Sequence, residues 1–439
     1  MNTPIYDFVN SHRKGVRAHM PGHKGISPLP CGFSAAYDYD ITEIKGADAL
    51  FEVDGIIAES EKNAASLFGT AETIYSCAGS TACIQAMLAA VCKSGDTVIA
   101  ARNCHRAFIN TCVLLGLNVR WIYPYITDTI VSGGIYPEDV ERALESTDAA
   151  CVYLTSPDYL GRICDIGAIS EICRRKGVYL LVDNAHGAYT AFLEKPMHPI
   201  ALGADMCCDS AHKTLPVLTG GAYLHSGGRI PKGRAKECMS MFCSTSPSYL
   251  ILQSLDLCNR YLSENFRAEL DRTVKRLDIM KQKLSRTWEL IGDEPLKVTI
   301  HTASRGLTGT ETADILRESG IESEYADSTH IVLMLSPMNS DSDFDIIEKA
   351  LSEIPMPRVR LVPPTKIEFP IHERAMSIRE AALAESEEIF SDNAAGRICA
   401  RAVTACPPGI AVAAPGEIFT EKTAEILKMY GIDKVRAVK

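Results

Sequence analysis

Val178-Tyr-Leu-Leu-Val-Asp183, continuing into Asn184-Ala-His-Gly187, is the stretch on which the reading of this chain turns. Its apolar residues are contiguous rather than alternating, which suits a parallel strand covered on both faces. An acidic residue closes the run, at the carboxyl end of the strand, where open α/β sheets bind their ligands. A bare carboxylate is costly to bury, so Asp183 has to be paired or hydrogen-bonded. On this strand alone, capping of the following turn and service to a ligand are both open.

Working outward, short β-rich runs alternate with helical ones. Thr73 to Ser76, Thr97 to Ala101, Val119 to Tyr123, Ala150 to Thr155, Met206 to Asp209 and Gly221 to His225 read as further strands. Ser80 to Cys92, Arg106 to Leu115, Pro137 to Glu145 and Ile166 to Lys176 read as the helices between them. That alternation predicts an α/β fold with a mostly parallel, doubly wound sheet. After Pro247 one long helical stretch, from Ser248 to Leu290, carries Leu250, Leu257, Tyr261, Leu270 and Leu277 at helical spacing and reads as a connector. Strands at Lys297 to Thr302 and Ile331 to Leu335, with helices at Thr310 to Ser319 and Phe344 to Glu353, predict a smaller C-terminal α+β domain. Its tail reads as two helices, Met376 to Phe390 and Ala394 to Val403, before a Pro-Pro-Gly turn at 407–409. The expected division is an N-terminal segment 1–50, a large domain 51–290 that includes the connecting helix, and a small domain 291–439.

Composition narrows the function classes. The chain has 439 residues, 46% of them hydrophobic and 23% charged, so it can bury a real core and is neither disordered nor fibrous. Its longest unbroken apolar run, Ala86 to Cys92, is far short of the roughly 20 residues that span a bilayer. Met1 to Asn10 has no basic and apolar leader pattern, so the cytoplasm is the expected compartment and no membrane association is expected. A net charge of −10 with no run of Lys and Arg argues against nucleic acid as a partner, and favours a cationic small molecule. The 16 cysteines include no Cys-x-x-Cys pair and sit in apolar context, which predicts buried thiols rather than a metal site or a disulfide framework.

Two further stretches carry chemistry. Cys77-Ala-Gly79-Ser80-Thr81-Ala82 lies between a strand and a helix, where Gly79 permits a tight turn and two hydroxyls sit at a helix N-terminus suited to an anion. The plain alternative is an ordinary helix cap at Ser80. Asp209-Ser210-Ala211-His212-Lys213-Thr214 puts a lysine just past a buried strand. An amine there needs a reason, and one is Schiff-base chemistry, for which a desolvated lysine is a good nucleophile.

In combination these stretches resemble the fold type I pyridoxal-phosphate-dependent enzymes, of the aspartate aminotransferase-like superfamily, and within them the Orn/Lys/Arg decarboxylase family. The resembling blocks are Met20-Pro-Gly-His-Lys-Gly25, Asp40-Ile-Thr-Glu43, Gly79-Ser-Thr81, Arg102-Asn-Cys-His105, Ser156-Pro-Asp-Tyr159, Asp183-Asn-Ala-His-Gly187, Ser210-Ala-His-Lys-Thr214, Thr245-Ser-Pro-Ser-Tyr249 and Pro407-Pro-Gly-Ile410 with Pro415-Gly-Glu417. The resemblance implies pyridoxal 5'-phosphate as cofactor, held covalently by Lys213, which would also move protons at the substrate Cα. It implies that Asp183 pairs with the pyridine nitrogen and that His105 stacks on the ring face opposite Ala185. Gly79, Ser80, Thr81, Ser210 and His212 would bind the phosphate, and His186 the ring's phenolic oxygen or the substrate. Thr245 would reach the phosphate of a partner subunit, so a homodimer with active sites at the subunit interface is implied. The short stretch before Met20 resembles a short form lacking the N-terminal wing domain, which favours a dimer over a larger assembly.

The chain departs from the family pattern at Asn184, where Glu is usual, at Gly220, and at Ala405-Cys406 before the prolines. His12, His19, His198, His225, His301, His330 and His372 show no ligand-like spacing, and no metal site is expected. His23 and Lys24 either touch ligand or only shape the N-terminal segment. The implied activity is decarboxylation of arginine, lysine or ornithine to the amine and CO2. The alternatives are another fold type I reaction, aminotransfer or aldol cleavage, and a silent cofactor-binding paralogue with a regulatory role. Aminotransfer would call for an arginine on the substrate carboxylate, and Arg358, Arg360, Arg374, Arg379, Arg397 and Arg401 are the candidates. For the substrate's distal cation the candidates are Glu43, Asp48, Glu52, Asp158 and Glu417.

Overall fold

A computed structural model of the chain describes residues 1–125, 128–355, 367–405 and 409–439. Arg358, Arg360, Pro407 and Pro408 lie outside the described residues. The strands are β1 Glu72–Ser76, β2 Thr97–Ala101, β3 Asn118–Ile122, β4 Cys151–Thr155, β5 Tyr179–Asp183, β6 Met206–Asp209, β7 Ala222–Ser226, β8 Glu289–Ile291, β9 Lys297–His301, β10 Tyr325–Ala326, β11 His330–Met334, β12 Ser386–Phe390, β13 Val403–Ala405, β14 Ile410–Ala413 and β15 Lys434–Val438. They fall into two compact units, residues 1–91 with 180–270, and residues 92–179 with 271–439.

In the first unit β5 pairs parallel with β6, and β7 runs antiparallel to both β6 and β1. All four residues of β6 are buried, as are Leu180, Leu181 and Val182 of β5. Contiguous burial of this kind is what the unalternating sequence demands, and each large apolar side chain removed from water contributes about 1.5–3 kcal/mol. The helix Ile56–Phe68 sends Phe68 against Phe192, His198, Tyr223 and His225. The helix Pro4–His12 has no side-chain cap of its own, and Asp256 supplies one from the helix Tyr249–Glu264 by accepting from the N–H groups of Ile5 and Tyr6. Burial pushes that carboxyl up to about 6, against hydrogen bonds from Ser60, Tyr6 and Ile5 that pull it down.

In the second unit β2 pairs parallel with both β3 and β4. The sheet β10-β11-β9-β8 is antiparallel throughout. The α/β class with a mostly parallel central sheet is therefore what the structure has, and each expected strand forms within a residue or two of its sequence limits.

Three stretches differ from the sequence reading. The long helix is two, Tyr249–Glu264 and Phe266–Leu284, broken at Asn265, whose φ of −121° leaves the helical region. Only Ile378–Leu383 of the expected tail helix is helical, started by a Ser377/Glu380 capping box. The rest becomes β12, paired antiparallel with β15. The second expected tail helix is absent: Gly396 turns the chain at φ +82°, and Val403 enters β13 to pair with β14. For β12 a partner strand far along the chain decided the outcome, and for β13 a partner just beyond the turn; a helical periodicity registers neither.

Candidate active site

The site begins where β1 ends. Ser76 Oγ donates to the Gly79 carbonyl and accepts from the Ala78 N–H, which folds Cys77-Ala78 into a tight turn. Gly79 enters the helix Gly79–Val91 at φ +67° and gives its N–H to the Gly220 carbonyl at 2.8 Å. Gly220 is itself at φ +100°, and a Cβ there would stand 3.2 Å from Ile251 Cδ1 and 3.3 Å from the Cys77 carbonyl. The departure at 220 is thus a backbone requirement of this turn. Ser210 Oγ, just past β6, donates to Ser80 Oγ at 2.8 Å. Two hydroxyls so meet at the positive end of a 13-residue helix, an anion cradle. Thr81 is exposed beside them. His212 donates Nδ1–H to the Gly221 carbonyl at 2.9 Å, which orients its ring.

Lys213 sits in the one-turn helix Ala211–Thr214. Its ammonium donates to His186 Nε2 at 3.0 Å. The lysine is exposed, which corrects the expectation of a desolvated amine, whereas His186 is buried. Asp183, at the end of β5, is buried and its Oδ1 accepts from the Ala185 N–H at 3.2 Å, with the Cys208 thiol at 3.7 Å. One compact unit thus contains Gly79, Ser80, Thr81, Asp183, Ala185, His186, Ser210, His212 and Lys213. Thr245 belongs to the same unit, exposed ahead of the helix Tyr249–Glu264.

Behind these residues lies a cluster that sequence reasoning missed. Asp209 is fully buried and accepts from Asn184 Nδ2 at 2.6 Å, from His198 Nε2 at 3.1 Å and from His225 Nε2 at 3.2 Å. Burial by itself would raise this carboxyl, but His198 and His225 outweigh it and hold Asp209 well below the usual carboxylate range. Burial pushes the His225 imidazole down, which favours its neutral form. Nothing in the spacing of residues 184, 198, 209 and 225 announces this meeting. The one signal was the departure at Asn184, whose amide supplies the donor that a glutamate could not.

His105 lies in the other unit, where its Nδ1 accepts from the Ala107 N–H at 3.2 Å and caps the helix Arg106–Leu115. Its ring lies beside Gly409. A Cβ on Gly409, at φ +76°, would stand 3.0 Å from His105 Nε2, and Ile410 makes a bridge to His105. Gly409 is a second residue whose role the sequence did not disclose.

The candidate carboxylates separate. Glu417 is buried, and it accepts from Arg102 at 2.9 Å, from Trp121 Nε1 at 3.0 Å and from the Ala414 N–H at 2.8 Å. Asp158 is buried and accepts from Ser132, Gly133, Leu160 and Arg162. Asp48 accepts from five backbone N–H groups, of Ala49, Asp54, Gly55, Ile57 and Ala58. All three are engaged by donors of the protein itself, Asp48 by backbone N–H groups, Asp158 by backbone and Ser132, and Glu417 chiefly by the Arg102 and Trp121 side chains. Glu43 and Glu52 line a cleft together with Asp48 and Asp54, and Glu43 Oε1 is buried there without a hydrogen-bond partner. Of the candidate arginines, Arg374 donates to the Val119 carbonyl, Arg379 to that of Leu114 and Arg397 to Glu387. His23 bonds Asp40 at 3.1 Å and the Gly25 N–H at 2.9 Å, and Lys24 bonds the His19 carbonyl, all contacts within the N-terminal segment.

All described cysteines are free thiols, most of them buried, and burial pushes Cys77, Cys164 and Cys258 up to about 12. No helix among the described residues is long and apolar enough to cross a membrane.

An anion cradle, a buried carboxylate and an accessible amine answer the phosphate, the pyridine nitrogen and the aldehyde of pyridoxal phosphate, so the donor set fits that cofactor. On a mostly parallel α/β sheet this set defines the fold type I class of enzymes. The chain belongs to the Orn/Lys/Arg decarboxylase family: its residues 3–293 match the major domain and residues 368–432 the C-terminal domain. It is similar to the arginine decarboxylase of Bacillus subtilis, 34% identical across 96% of this chain and 92% of the relative, and to that of Halalkalibacterium halodurans, 32% identical across 97% and 93%. In structure it is similar to the constitutive lysine decarboxylase of E. coli, with a TM-score of 0.83 over 100% of this chain and 82% of the other, at 18% identity. The chain is an amino-acid decarboxylase of this family.

Proposed function

We propose that the protein decarboxylates a basic amino acid with pyridoxal phosphate, and that arginine is its first substrate ahead of lysine and ornithine. The preference for arginine rests on the arginine decarboxylases that align along almost the whole chain. The observation that carries the reading is the placement, in one compact unit, of the Lys213 amine on His186 and of the Ser80–Ser210 hydroxyl pair at a helix N-terminus. The cofactor supplies an electron sink for the pair left behind when CO2 departs.

The chain's own residues do the rest. Ser80, Thr81, Ser210 and His212, with the first N–H groups of the helix, bind the phosphate. Asp183, fixed by the Ala185 N–H, holds a proton on the ring nitrogen. Lys213 anchors the cofactor and carries a proton to and from Cα, with His186 Nε2 accepting from its amine between turns. His105 is assigned to the ring face opposite Ala185. Glu43, with its buried unpartnered oxygen, and Glu52 receive the substrate's distal cation. The domain limits 1–50, 51–290 and 291–439 belong to the same proposal, as do a cytoplasmic homodimer in which Thr245 serves the partner's phosphate, and a polyamine or its precursor as product.

The test is direct. Protein loaded with the cofactor should be yellow, should bleach on borohydride, and should lose both properties in Lys213→Ala. Incubated separately with arginine, lysine and ornithine, it should release CO2, fastest from arginine. Colourless wild type after cofactor addition, or keto acid in place of CO2, would overturn the proposal.

A further inference from the structure

Outside the candidate active site, His301 and His330 face each other directly across the antiparallel strands β9 and β11. Their ring centroids are 5.0 Å apart. Asp128 approaches from the chain beyond β3, and its Oδ2 lies 2.8 Å from His301 Nε2 and 3.7 Å from His330 Nε2.

The other ring nitrogens are already engaged. His301 Nδ1 donates to Glu289 Oε2 at 2.7 Å. His330 Nδ1 lies 2.8 Å from Thr329 Oγ1, and that hydroxyl gives its proton to Asp327 Oδ1, so the imidazole has to be the donor. These partners keep a proton on each Nδ1, so that once both rings are neutral each Nε2 presents a lone pair. Two lone pairs and a carboxylate oxygen then converge, an arrangement that calls for a cation. Histidine ligands whose second nitrogen donates to a carboxylate or another acceptor are the normal support of a metal site. Around an ion with bonds of about 2.0–2.1 Å, tetrahedral ligands stand roughly 3.3 Å apart, and the two distances to Asp128 bracket that value. The three ligand atoms all lie within 4.8 Å of one another. The side chains of His301 and Asp128 are 21% and 17% exposed, which leaves an entry path.

We propose that Asp128, His301 and His330 bind one divalent transition-metal ion, with zinc favoured by the nitrogen and oxygen donors and a further position open to solvent. The ion replaces the proton that otherwise sits on His301 Nε2, and one proton leaves for each ion bound. It clips the chain beyond β3 to the β9–β11 pair, a structural role separate from decarboxylation.

The experiment uses the cofactor-loaded protein after treatment with a chelator. Zn2+ titration against a chromophoric chelator should show one tight equivalent in wild type that is lost in His330→Gln and in Asp128→Asn. Co2+ at the same stoichiometry should give visible ligand-field bands without the near-ultraviolet charge-transfer band of a thiolate. Circular dichroism of the variants checks that they fold, and Asp128→Asn, a partly exposed loop position, guards against a collapsed His330→Gln. Equal Zn2+ stoichiometry in wild type and both variants would overturn the proposal, as would a thiolate band.

Discussion

Asn184→Asp replaces one atom of the side chain and converts the donor facing Asp209 into a second carboxylate. The two groups are buried, with Asn184 Nδ2 2.6 Å from Asp209 Oδ1. Two unit charges at that separation repel by about 6 kcal/mol at an effective dielectric near 20. A cheaper route exists: one carboxyl takes up a proton and donates it to the other. For a group that ionises near 4 in the unfolded chain, holding that proton at pH 7 costs about 4 kcal/mol, and at pH 5 roughly 1.5 kcal/mol. The sign follows from linkage. The new carboxyl has a folded pKa raised above its unfolded value, so the variant matches wild type best in acid and loses stability as pH rises. Urea unfolding of both proteins, followed by circular dichroism between pH 5 and 7.5, should give a stability gap that widens by about 1.4 kcal/mol per pH unit. A gap that does not change with pH, or no gap, would refute the view that residue 184 is here to serve a buried, ionised Asp209.

Three further outcomes follow from the same geometry. Gly220→Ala forces a side chain onto a backbone at φ +100°, and should cost about 1–3 kcal/mol. Because the Gly220 carbonyl holds the Gly79 N–H, dialysis should also strip the cofactor faster; wild-type stability and retention would count against that link. Lys236→Met removes the partner of buried Glu61, which sits 2.5 Å from the ammonium and which burial pushes up to about 7 even with that partner present. The orphaned carboxyl should cost up to about 3–5 kcal/mol above pH 7, with the deficit shrinking as acid protonates it, and a deficit that grows in acid would contradict this. Gly409→Ala would press a methyl group onto the His105 ring, so it should lower kcat while leaving the anion cradle, and hence phosphate affinity for the free cofactor, unchanged; equal loss of both would argue against separate roles.

What could be read from the sequence, and what could not, divides by range. The strand Val178–Asp183 and its parallel neighbours were legible because contiguous apolar runs between helices admit few other packings. The cradle at Gly79-Ser80 and the lysine at 213 were legible because turn, cap and strand end are local features. The tail was misread because β12 depends on β15, and β13 on β14, pairings that a helical periodicity over ten residues cannot weigh against. His301 and His330 were passed over for the same reason. They are 29 positions apart in the chain, yet they are register partners.

Asn184 and Asp209 carry this argument furthest, because each looks wrong alone. Read by itself, Asn184 is a lost charge in a block where the family resemblance leads one to expect glutamate. Read by itself, Asp209 is a buried carboxylate with no stated purpose at the end of β6. Asp183 and Cys208 are register partners in β5 and β6, which sets residues 184 and 209, the next along each chain, side by side. A carboxylate on one strand end then requires a donor on the other, and with Asp209 already clamped by His198 and His225 the amide is the residue type that leaves no like-charge pair. The departure therefore compensates for a neighbour, and by itself gives no reason to expect that Asp183, one residue before it, has lost its place.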